Sequence, residues 1–243
     1  GLSAYAVTST NVAPATGWQP SNSITLTSNG SYYAWAKDAA GNVSAGFAFT
    51  VSKVDTGKPV VNSVAVPGAW GVDSSVSITA SDDHSGVTAY AVTKNSTAPT
   101  TGWQESGNFT ITSNGDWYAW ARDAVGNVSP GYKFEVAKID NTRPVISDVS
   151  VPTDWTAKAE IKIIAADDET GITAYALSKN TAVPTSGWQE SSSFTLSSNG
   201  SFYAWVKDGA GNTAYKYFTV SKLDVTVPSI SSVSVSSSWG SSG

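Results

Sequence analysis

The chain has 243 residues, 40% hydrophobic and only 14% charged, so it is long enough for two or three packed domains and too apolar to be disordered. A formal net charge of −5 argues against a protein that neutralises nucleic-acid phosphates or an anionic membrane surface. There is no Cys, which excludes disulfides and thiolate metal sites, and no apolar run approaches the roughly 18 residues that span a bilayer.

From the N-terminus, residues 1–58 introduce a set of markers that the rest of the chain repeats. Tyr5, Trp18, the triplet Ser28-Asn29-Gly30, the strand Tyr33-Ala34-Trp35-Ala36-Lys37-Asp38, the pair Gly41-Asn42 and the joint Val54-Asp55 ahead of Pro59 follow in that order. The strand recurs as Tyr118–Asp123 and Tyr203–Asp208, both steps being 85 residues. Trp103 and Trp188, Tyr90 and Tyr175, Gly126-Asn127 and Gly211-Asn212 keep the same step. Pro144 follows Pro59 by 85 residues and Pro228 follows Pro144 by 84, so one residue is deleted between Asn212 and Val220, as expected for a shortened turn. A period of that length is too long for a solenoid and suits a small autonomous domain.

Residues 59–143 form the first complete repeat. Short runs of β-branched and aromatic residues, separated by Gly, Asn, Pro and Ser, predict strands near Val60–Val66, Val76–Ala80, Ala89–Thr93, Phe109–Thr112, Asp116–Arg122 and Tyr132–Ala137. Ser-Asn-Gly supplies positive φ before the strongest strand. Asp-x-x-Gly-Asn closes that strand, with Asp accepting from backbone amides ahead and Gly in the left-handed position. Residues 144–227 repeat the pattern, and residues 228–243 contribute the first strand, Ile230–Val235, of a further copy. Residues 1–58 begin at Leu2-Ser3-Ala4-Tyr5, which aligns with Val87-Thr88-Ala89-Tyr90, so that copy lacks its first two strands. The expected class is all-β: tandem immunoglobulin-like β-sandwiches of about 85 residues arranged as an extended rod. Both ends, including the tail Trp239-Gly240-Ser241-Ser242-Gly243, are expected to be cuts in a longer protein whose signal or anchor lies elsewhere.

Four strings carry a resemblance: Gly-Val-Thr-Ala-Tyr-Ala-Val at 86–92, Gly102-Trp103, Asn114 to Ser129 in full, and Ile139-Asp140-Asn141-Thr142-Arg143-Pro144. They resemble the Ig-like repeats of bacterial cell-surface and secreted proteins over the whole chain. The joints Val54-Asp55, Ile139-Asp140 and Leu223-Asp224 are similar to the inter-domain linker of that family. The resemblance implies a sandwich fold, an extracellular location and service as stalk, spacer or adhesive arm, without a shared activity.

Catalytic chemistry finds no constellation. The single His, His84, lies in a loop where the next repeat has Glu169, so the expectation is no catalytic residue and no enzyme. Asp82-Asp83 and Asp167-Asp168-Glu169 are read as polar turns. No cofactor is expected; if Ca²⁺ binds, the further ligand is a linker Asp such as Asp140 or Asp55. Asp38, Asp123 and Asp208 are assigned to the hairpin connection. In the strongest strand, alternation puts Tyr33, Trp35 and Lys37 on one face. Tyr33, Trp35, Tyr118, Trp120, Tyr203 and Trp205 are therefore candidates for an exposed ligand or lateral-contact surface, the alternative being a core Trp with Lys37 snorkelling. Gly-Trp at 17–18, 102–103 and 187–188 is expected to pin a loop, and Phe49, Phe134 and Phe218 are expected in the core.

Two arrangements stay open: a window on a longer array, or a head-to-tail polymer in which Ile230, Val233 and Val235 of one chain complete residues 1–58 of the next. The expected partners are neighbouring copies or adjacent repeats, and surface glycans where the aromatic faces are exposed. Nucleic acid and membrane insertion are not expected. The leading function is a non-catalytic structural region of an extracellular surface protein. An adhesive or sugar-binding tandem array is the first alternative, and accessory domains of a large secreted hydrolase the second.

Overall fold

A computed structural model describes residues 1–235, and every regular element among them is a β-strand. By contact the chain divides into two compact units, one made of Gly1–Ala65, Ser77–Phe109 and Asp116–Phe134, the other of Val66–Val76, Thr110–Gly115 and Glu135–Gly243. The side-chain interactions described below are each internal to one of these units.

Residues 1–58 supply β1 (Leu2–Thr8), β2 (Gly30–Asp38) and β3 (Phe47–Val51). The next copy supplies β4 (Val60–Ala65), β5 (Ser74–Ser81), β6 (Val87–Thr93), β7 (Asn108–Ile111), β8 (Gly115–Asp123) and β9 (Tyr132–Val136). The last supplies β10 (Val145–Ser150), β11 (Ala159–Ala166), β12 (Ile172–Ser178), β13 (Ser193–Leu196), β14 (Gly200–Asp208) and β15 (Thr213–Val220). Each six-stranded copy makes two three-stranded sheets, β4-β5-β7 with β6-β8-β9, and β10-β11-β13 with β12-β14-β15. The first, second and fourth strands share one sheet and the third, fifth and sixth the other, which is the immunoglobulin pairing of strands.

Alternation explains the core. In the last copy Val149, Ala159, Ile161 and Ile163 face Phe202, Ala204, Val206, Phe218 and Val220 across the sandwich. Each set recurs at every second residue of its strand. Phe134 and Phe218 are buried as expected from their spacing. Phe49 is only half-buried, because residues 1–58 form the single sheet β1-β2-β3. Residues 21–27, which correspond to β7 and β13, are not a strand. In the complete copies that fourth strand pairs with the second, and the described residues 1–58 contain no equivalent of that second strand.

The expected strand Ile230–Val235 does not form. These residues have no ladder partner, and Ile230, Val233 and Val235 are exposed. A first strand of this fold takes its hydrogen bonds from the second, as β4 does from β5 and β10 from β11, and no such strand follows among the described residues. Residues 236–243 of the expected C-terminal fragment lie outside the described residues.

Candidate functional site

The Asp-x-x-Gly-Asn turns form as the residue types require. Asp123 Oδ1 accepts the backbone N–H groups of Val125, Gly126 and Asn127 at 3.0, 2.7 and 2.8 Å, and Oδ2 accepts the Asn127 side-chain amide at 2.7 Å. Asp208 repeats the set with Ala210, Gly211 and Asn212. Gly126 has φ of 100°, a conformation that a side chain would strain.

The linkers are where these local turns become long-range structure. Asn114 lies in the Ser-Asn-Gly triplet ahead of β8. Its side chain brackets Ile139: the amide donates to the Ile139 carbonyl at 2.7 Å and Oδ1 accepts the Ile139 N–H at 2.8 Å. Asn29 does the same to Val54, and Asn199 to Leu223. Ile139 and Leu223 are buried, Leu223 within the core of the copy that precedes it. Parallel bridges of Gly71 to Ile139 and of Thr156 to Leu223 complete the attachment.

The next residue turns the other way. The Asp140 carboxylate accepts the Thr170 hydroxyl at 2.7 Å, and its carbonyl accepts the Asn212 side-chain amide at 2.9 Å, both from the following copy. Asp55 is held likewise by the Ser85 N–H and the Asn127 side-chain amide. The Asn that closes the hairpin therefore uses both amide hydrogens, one on its own Asp and one on the linker.

These contacts gather three carboxylates at each joint: Asp55, Asp82 and Asp123, and Asp140, Asp167 and Asp208, each offering an oxygen within 4.8 Å of the others. Oxygen is the donor type for a hard divalent cation, and these three residues are the ones that could hold it, contributing three of the six to eight oxygens Ca²⁺ takes. The linker Asp residues stand beside Asp82 and Asp167, while Asp83, Asp168 and Glu169 are exposed outside the triads. Assigning Asp123 and Asp208 only to their hairpins left them out of this grouping. The signal was their position, 68 residues beyond the linker Asp at both joints (123 − 55 and 208 − 140).

Much of the carboxylate surface is already engaged. Asp140 is held below the usual carboxylate range, first by the Thr142 hydroxyl and then, against the opposing effect of burial, by the Thr170 hydroxyl. Asp38 is lowered chiefly by the Asn42 side-chain amide.

The candidate aromatic surface needs a correction. Trp35, Trp120 and Trp205 do lie on the face opposite the core, as the alternation implied, yet they are only 7%, 4% and 2% exposed. Each indole N–H donates to a hydroxyl at the end of the neighbouring strand, Thr8, Thr93 and Ser178, at 2.8, 2.8 and 2.9 Å. The connection after that strand then folds back: Trp18, Trp103 and Trp188 bond the carbonyls of Pro14, Pro99 and Pro184, with Lys37, Arg122 and Lys207 over their rings. The buried Trp is thus the core of a second layer beneath a pinned loop, so Trp35, Trp120 and Trp205 do not form an exposed line. Tyr33, Tyr118 and Tyr203 are half-buried.

No family model matches the chain, and no curated protein matches it. Among solved structures it is similar to the FN1–FN3 domains of chicken CNTN1, at 13% identity and a TM-score of 0.36 over 78% of this chain and 77% of that one. It is similar to the chitinase ChiA74 of Bacillus thuringiensis at 22% identity and a TM-score of 0.31, covering 72% of this chain and 29% of the chitinase. A tetra-tandem repeat in the extending region of a large adhesion protein matches at 16% identity and a TM-score of 0.19, over 81% of this chain and 57% of that one. At these scores none of the likenesses bears on what the chain does.

Two measurements check the site. Trp120→Ala removes a buried ring and is expected to destabilise its copy by about 3–5 kcal/mol in denaturant unfolding, whereas a surface Trp would cost little. In thermal unfolding against pH, stability from Asp140 and Asp38 is complete above the ordinary carboxylate value of 3.8 and is lost as pH falls through their lower native values. The melting temperature is therefore expected to hold from neutrality to about pH 5 and to drop below 3.8, with a shallower drop in Asp140→Asn.

Proposed function

We propose that this chain is a non-catalytic structural region of an extracellular surface protein, a stalk, spacer or fibre-forming module built of Ig-like repeats. The observation that carries the reading is the joint: consecutive linker residues are hydrogen-bonded to successive repeats, Ile139 to the one before and Asp140 to the one after. A linker serving only as a tether needs no such bonds, since flexible chains span gaps without them. A module that transmits position or force does need them.

The side-chain chemistry favours a reading without catalysis. His84 is exposed, and the carboxylates of Asp123 and Asp208 are committed to backbone amides rather than set as an acid and base pair around an open site. The charge-poor surface of Ser, Thr, Asn and Gly suits an extracellular bacterial array, and adjacent repeats or neighbouring copies are its partners.

Small-angle scattering of the intact chain tests the reading. The double variant Asn114→Ala, Asp140→Ala is expected to broaden the distribution of interatomic distances and to raise the flexibility seen at wide angle, while circular dichroism still shows folded β-sheet. Indistinguishable scattering from variant and parent would contradict a stiffened joint.

A further inference from the structure

One copy carries a surface that the others lack, and a deletion creates it. In residues 1–58 the turn closing β2 runs on as an irregular segment before β3: Val43 makes an isolated bridge to Lys37, and the Ser44 hydroxyl accepts the Ala36 N–H. The middle copy does the same with Val128, Arg122 and Ser129. In the last copy one residue is missing, and β15 pairs with β14 without interruption from Lys207↔Thr213 to Gly200↔Val220.

The uninterrupted ladder places Tyr215 opposite Trp205 and Tyr217 opposite Tyr203. By the same register Tyr215 stands where the other copies have Gly46 and Gly131, and Tyr217 where they have Ala48 and Lys133. The Gly residues there are dictated by packing: a Cβ on Gly131 would fall 2.8 Å from the Trp120 ring, and one on Gly46 2.9 Å from that of Trp35.

The result is an aromatic array on the outer face of the β14 and β15 hairpin. Tyr215 lies 4.8 Å from Trp205, centroid to centroid, and Tyr203 meets Tyr215 and Tyr217 edge-on at 5.7 and 5.5 Å. Tyr215 and Tyr217 remain 50% and 54% exposed. Beside them opens a cavity of about 360 Å³ whose wall includes Arg143, Thr181, Val183, Thr213 and Tyr215, with Trp205 at its base.

We infer that this cavity is a carbohydrate site taking an acidic pyranose. An aromatic wall with a few polar groups at its edge is the composition of a small-ligand site. Tyr215 supplies a fixed, partly exposed ring for the C–H face of a sugar, and Thr181 and Thr213 supply hydroxyls that both donate and accept. The charge on the wall is Arg143, an exposed residue whose guanidinium is not paired with a carboxylate among the described residues. Its planar fork matches a uronate carboxylate, which makes the ligand an anion even though the chain's net charge is −5. Arg143 belongs to the linker that carries Asp140, but the site rests on Tyr215, Thr181, Thr213 and Arg143 and not on the stalk reading.

Calorimetric titration of the intact chain with tetragalacturonate, and with galactotetraose as its neutral counterpart, tests the inference. Tetragalacturonate is expected to bind, and galactotetraose to bind at least about tenfold more weakly. Tyr215→Gly restores the residue found in the other two copies and Arg143→Ala alters an exposed side chain, so both are expected to fold while weakening tetragalacturonate binding about tenfold or more. Failure of the parent chain to bind tetragalacturonate, equal binding of the two oligosaccharides, or undiminished affinity in either variant overturns it. Should Tyr215→Gly fail to fold, Arg143→Ala and Arg143→Lys decide the outcome through the same comparison.

Discussion

Two adjacent linker residues divided between two neighbours is the constraint on which the rest of this architecture depends. Ile139 is fastened to the repeat behind it by an apolar side chain and by an Asn that satisfies both its N–H and its C=O. Asp140 is fastened to the repeat ahead by its carboxylate and carbonyl. No slack residue lies between the two attachments, and only two soft dihedrals flank the peptide unit that joins them. Pro144, buried and with fixed φ, restricts the exit from the same segment.

The residues that make the joint also make the sandwich. The Asp-x-x-Gly-Asn turn first completes a hairpin and then lends its second amide hydrogen to the linker, so hairpin and joint form from one set of side chains. The Ser-Asn-Gly triplet likewise opens the longest strand and clamps the linker leaving its own repeat. Such double use explains how a chain with 19 acidic and 14 basic residues holds its parts in place through amides and hydroxyls, with ion pairs playing little part. The ion pair between Lys133 and Asp116 is exposed and sits on the outer face, where the last copy has instead a hydrogen bond between Tyr217 and Ser201. Charge at that position is decoration that one repeat exchanged for aromatic surface.

Strand positions were readable because period-two alternation and turn residues are local, and the six strands of the middle copy fall within about two residues of their expected limits. The face of Trp35, Trp120 and Trp205 was also readable, from the Lys or Arg two residues on. Their burial was not, because it comes from a loop of irregular backbone that folds back through Trp18, Trp103 and Trp188, and alternation carries no information about what covers a sheet. The carboxylate triads were half-visible: pairing Asp140 with the acidic turn followed from the linker, while Asp208 joins only because the hairpin and the linker meet in space. The failed strand at Ile230–Val235 teaches the complementary lesson, since an apolar alternating segment becomes a strand only when a partner supplies its ladder.

Amide hydrogen exchange at the linker tests the central claim most directly. The Ile139 N–H is bound by Asn114 and the Asp140 N–H by the Gly71 carbonyl. The account predicts that both exchange as slowly as amides in the middle of β8, and that Asn114→Ala releases Ile139 while leaving the β8 amides protected. Exchange of Ile139 and Asp140 at the rate of an unstructured peptide in the parent chain would contradict it, because the linker would then be a tether and the repeats independent of one another.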